Sequence, residues 1–153
     1  MEDSYRIHET LTQAEKVREM TNGANWFYFV AALAVINSFA VVYSGISAFP
    51  LALGINQFVD GRALLSGPGE SLETARWFGF VINILIAAAF ASFAYFARKG
   101  SDIAFVVGMF LYVADAMLIL SYKDFFGFSF HLLALFFMFK GLLGSRKRYD
   151  PSV

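Results

Sequence analysis

Four apolar runs dominate the chain: Trp26 to Phe49, Trp77 to Ala97, Ile103 to Tyr122 and Phe125 to Leu143. A helix needs about 20 apolar residues to cross roughly 30 Å of hydrocarbon, and each run approaches or exceeds that length. The joints Arg98 to Asp102 and Lys123 to Asp124 are short and polar, which makes neighbouring helices antiparallel. The pattern predicts an all-α integral membrane protein, an up-down-up-down bundle of four transmembrane helices. The second helix is expected to start in water, with Ser71 as N-cap and Glu73 in its first turn. The first run follows a polar stretch and is too long for a signal-peptide core, so it reads as a span.

Two further segments carry a weaker pattern. Tyr5 to Met20 has a thin apolar stripe of Ile7, Leu11 and Ala14, with Asn22-Gly23 as an expected stop. Residues 1–25 are therefore expected to form a separate cytoplasmic amphipathic helix. Five acids against three bases in residues 1–20 suit a protein partner better than anionic lipid. Within the outer loop 50–76, Leu51 to Leu65 places Leu51, Ile55, Phe58 and Val59 on one side and Asn56, Gln57 and Asp60 elsewhere. This predicts an interfacial or partly re-entrant helix. Residues 144–153 read as a basic cytoplasmic tail.

Composition strengthens the membrane assignment. Apolar residues make up 58% and charged ones 16% of the 153 residues, where an ordinary soluble domain carries about 25% charged. Nineteen Phe exceed what a water-soluble core of this size would hide. Twelve bases balance twelve acids, without the basic excess that nucleic acid binding demands. The absence of Cys removes disulfides, thiolate metal sites and Cys nucleophiles. Placing both termini on one side gathers Arg6, Lys16, Arg18, Arg98, Lys99, Lys140, Arg146, Lys147 and Arg148 there. Only Arg62, Arg76 and Lys123 remain opposite. The positive-inside rule then makes the termini cytoplasmic, in a plasma or inner membrane, with Trp26, Tyr28, Trp77, Tyr95 and Tyr122 as interfacial anchors.

Each span contains a strongly polar residue: Asn37, Asn83, Asp115 and His131. They sit on stripes of small residues spaced by three and four, such as Gly79, Asn83, Ala87 and Ala91, which are expected contact faces between helices. Counted from the span ends, Asn83, His131 and Asp115 lie roughly 10 Å below the outer boundary at 1.5 Å per residue, with Ser44 near that layer. The expectation is an outer-half cluster of Asp115, His131, Asn83 and Ser44, floored by Asn37 and roofed by Asn56, Gln57 and Asp60. An acid beside an imidazole can pin a helix register, hold a proton, or supply two ligands to a divalent cation. Asp115 and His131 are the candidate metal ligands, if there are any. No catalytic residue or cofactor is predicted. His131 is the one His within a span, so a haem would need a further ligand. Zinc-protease, serine-elbow and phosphate-loop motifs are missing. Two functions fit: a non-catalytic accessory or assembly subunit, self-associating or part of a larger membrane complex, or a small proton or cation channel or transporter working through Asp115 and His131.

Overall fold

The computed structural model describes residues 2–44, 53–64 and 72–149. They form five helices and, among the described residues, no strand: α1 Glu2–Ser44, α2 Gly54–Leu64, α3 Leu72–Arg98, α4 Asp102–Ser121 and α5 Phe125–Tyr149. Four of them, α1, α3, α4 and α5, are long and apolar enough to cross a membrane. Large apolar side chains project outward along all four, among them Ile36, Phe78, Leu85, Phe110, Phe126 and Phe136. In water that surface would be costly; in hydrocarbon it is the required one.

The sharpest departure from the sequence reading is the continuity of α1. Its 43 residues run unbroken through Asn22-Gly23, so residues 1–25 are not a separate helix and the first span does not begin at a helix start. Gly23 faces Gly141 of α5 so closely that a Cβ on Gly23 would stand 2.4 Å from the Gly141 Cα. The glycine permits helix-to-helix contact rather than ending a helix. Beside it Trp26 stacks on Phe137, with ring centroids 4.9 Å apart and planes 3° from parallel. Trp26 is thus a packing residue between α1 and α5. At about 65 Å, α1 exceeds the hydrocarbon thickness about twofold. It takes α5 with it. Helix α5 continues to Tyr149, so the expected 144–153 tail is helical over its described part, and Gly144 packs against the α1 backbone at Lys16 and Met20.

Helix α1 lies between α3 and α5; α4 packs on α5 and more loosely on α3. Ring contacts fix the register of α1 against α3: Phe27 meets Phe90 and Phe93, Phe39 meets Phe80, and Tyr43 meets Trp77. Gly108 lets α4 approach Phe27, since a Cβ there would lie 2.6 Å from the ring. Two tight turns join the later helices. Ser101 caps α4 through the Ala104 amide, and Gly100 before it has φ 87°. Between α4 and α5, Lys123 takes φ 60°, an unusual value for a residue with a side chain, and Asp124 Oδ1 accepts from the Gly127 amide at 2.8 Å.

Charged residues from distant parts of the chain meet at one end. Lys140 Nζ is 3.6 Å from Glu19, and Arg146 Nε is 3.7 Å from Asp102. Ser145, fully buried, places its hydroxyl 2.7 Å from Asp102 Oδ1 and 3.3 Å from the Gly100 carbonyl. This hydroxyl ties the end of α5 to the α3–α4 turn. Ser145→Ala is expected to lower stability by about 1 kcal/mol, the usual worth of one such bond, measured by denaturant titration in detergent micelles. The exposed Arg146–Asp102 pair should contribute less than that bond.

Candidate functional site

Asp115 and His131, on neighbouring helices, come into direct contact: His131 Nε2 lies 2.9 Å from Asp115 Oδ2. Both are buried, at 7% and 1% exposure. Backbone groups complete the arrangement. The Gly54 amide donates to Asp115 Oδ2 and the Ile55 amide to Oδ1, each at 2.8 Å. His131 Nδ1 is 2.8 Å from the Gly127 carbonyl oxygen, and the ring of Tyr112 stacks on the imidazole with centroids 4.5 Å apart and planes 15° from parallel.

The amides of Gly54 and Ile55 belong to the first turn of α2, where N–H groups have no carbonyl of their own helix to reach. A Ser, Thr, Asp or Asn before the helix ordinarily fills that gap, but the preceding residue is Leu53. Asp115 does so instead, from 60 residues away. Its carboxyl also faces the positive end of the α2 dipole. Gly54 makes the approach possible, because a Cβ would meet Ile119 Cγ1 at 2.9 Å and the Asp115 carbonyl at 3.0 Å. Leu53 and Asn56 are 2% and 0% exposed. The start of α2 is therefore plugged into the bundle against α4, where bare backbone polar groups must be satisfied by protein.

Hydrogen-bond chemistry sets the proton count of the pair. A carbonyl oxygen can only accept, so Nδ1 of His131 carries a hydrogen. The Nε2–Oδ2 contact then requires one further proton between the two groups. Imidazolium with carboxylate, or imidazole with carboxylic acid, satisfies it. The pair is electrically neutral either way.

The chain matches no protein-family model, no curated protein and no solved structure.

The other expected members of the cluster are distributed differently. Asn37 and Asn83 are buried at 1% and 0% exposure, and the α1–α3 ring register sets them at the same level. Asp115 and Ile86 line the same cavity, and Phe90 touches Tyr112. The Asp115–His131 layer thus lies about one helical turn, roughly 5 Å, from the asparagines, which are nearer the α4–α5 turn. Asn37 is accordingly not a floor beneath the pair. Depth counted from the end of each apolar run misplaced it, because aromatic pairing between α1 and α3 fixes the level. Asn56 is not a lid but an interior residue, its Nδ2 3.4 Å from the Ala34 carbonyl, whereas Phe58 is turned outward. Gln57 is half-buried. The side chains of Ser44 and Asp60 lie outside the described residues.

Sequence reasoning missed Tyr112 and the two α2 amides. The one signal was negative: a helix starting among apolar residues without its own cap. Both nitrogens of His131 are engaged, so neither is presented to a haem iron in this arrangement. Among the described residues, no third His, Cys, Asp or Glu joins the pair in a metal-holding group.

Proposed function

We propose that the protein is a non-catalytic accessory or assembly subunit of a membrane complex. One observation carries this reading: the acid and imidazole inside the bundle are engaged with each other and with the molecule's own backbone, Asp115 holding three partners and both nitrogens of His131 occupied. On the side away from the asparagines the interior is filled by Phe27, Phe90, Phe105 and Met138. A polar pair built this way pins α2 and sets helix register. The helices cross in up-down-up-down order, and the end with nine Lys and Arg is cytoplasmic by the positive-inside rule. The first half of α1 then projects into the cytoplasm, with Glu9, Glu15 and Arg18 facing solvent, as a docking arm for another subunit or a second copy of this chain.

Native purification in mild detergent is expected to bring down a different chain or a stable homo-oligomer. The triple substitution Glu9→Lys, Glu15→Lys, Arg18→Glu should abolish that association by more than tenfold while leaving the melting transition unchanged. A lone monomer under every extraction condition would remove the proposal.

The second reading is proton or cation passage through Asp115 and His131, favoured by their direct 2.9 Å contact. It requires flux in reconstituted vesicles.

A further inference from the structure

The seam between α3 and α4 holds a cavity of about 360 Å³, within the size range of small-molecule sites. Ile86, Phe90 and Phe93 form one wall, Leu111 and Ala114 the other, and Ile55 of α2 adds an apolar contact. Ala89 and Ala114 on its rim are exposed, as is Leu111. In a bilayer the opening faces acyl chains.

Asp115 is the polar side chain among the described residues lining this cavity. Its Oδ2 is occupied by the Gly54 amide and by His131, while Oδ1 receives the Ile55 amide alone. A carboxyl oxygen has two lone pairs, so Oδ1 retains room for one donor. An acceptor beside an apolar cavity selects a ligand that brings a donor. The charge of that ligand also follows. Because the Asp115–His131 pair is neutral, a cationic head would add an uncompensated charge in a low-dielectric site; a hydroxyl would not. The rings of Phe90 and Phe93 suit a flat, apolar body.

The geometry points to a binding site for a neutral, hydroxyl-bearing lipophile, a phenol or alcohol taken from the bilayer, whose body fills the α3–α4 cavity and whose hydroxyl donates to Asp115 Oδ1. This is independent of the docking arm on α1.

The test is photolabelling of the full chain in phosphatidylcholine vesicles with a diazirine-bearing alkylphenol, competed by para-octylphenol or by its methyl ether, para-octylanisole. Labelling is expected to be saturable and to map to α3 or α4. The phenol should compete at a concentration at least about tenfold lower than the ether, which has no hydrogen to donate; tenfold corresponds to about 1.4 kcal/mol. Ala114→Phe, at an exposed position, should fill the cavity and remove the saturable component with an unchanged melting transition; Ala89→Phe serves if that variant misfolds. Equal competition by phenol and ether, labelling that never saturates, or labelling that survives in a folded Phe variant would overturn the assignment. The phenol–ether comparison in the unsubstituted protein decides independently of any variant.

Discussion

Asp115→Ala is expected to destabilise the protein by about 3–5 kcal/mol, the cost of removing one partner from a buried, hydrogen-bonded charge network. Three groups lose their partner together: the Gly54 amide, the Ile55 amide and His131 Nε2. Neither Gly54 nor His131 can turn to water, since both are buried. Asp115→Asn should cost less, because its amide oxygen still accepts one N–H while its NH₂ faces donors. Denaturant titration in detergent micelles gives the magnitudes, and amide hydrogen exchange gives the location. Protection at Gly54 and Ile55 should fall in both variants before protection in α4 or α5 does. If α2 amides stay as protected in Asp115→Ala as in the parent, the carboxyl does not hold α2 in place.

Gly23→Val should lower stability by about 1–3 kcal/mol, the range for forcing extra volume into a packed interior. The first added carbon would lie 2.4 Å from Gly141 Cα and 2.8 Å from the Phe137 carbonyl oxygen. Both are backbone, so α1 and α5 must move apart, and the Trp26–Phe137 stack must loosen with them. Gly141→Val should behave alike, its Cβ position being 2.7 Å from Gly23 Cα. The double variant should lose less than the sum of the two, because one displacement relieves both contacts. Unfolding curves for the four proteins, with tryptophan fluorescence reporting on the Trp26 environment, supply the check. Strict additivity with an unshifted emission spectrum would mean the two glycines do not meet.

A helix-ending Asn-Gly pair and a bundle contact can look the same in one dimension. Gly23 terminates nothing because Gly141 is across from it, and the pairing of residues 118 positions apart leaves no mark near either one. Asn56 illustrates the same limit on α2. Its neighbours suggested a polar outward face, but Ala34 and the rest of α1 lie on that side, and Phe58 is exposed instead. The Asp115–His131 contact was more legible. Two titratable residues in adjacent spans, at comparable distances from a two-residue joint, must fall at one level of a tight helical hairpin, and costly polar groups turn toward protein.

The sequence by itself determined that the chain is helical and built from runs long enough to cross a membrane, because run length and the cost of exposing backbone in hydrocarbon act locally. It also brought an acid and an imidazole to one height, since a short turn leaves the register of its two helices little freedom. Tertiary structure alone decided what that acid does. Its acceptor oxygens serve amides from a helix that lies 60 residues away in the chain, and only packing can choose which of several uncapped helix ends is brought to a given side chain.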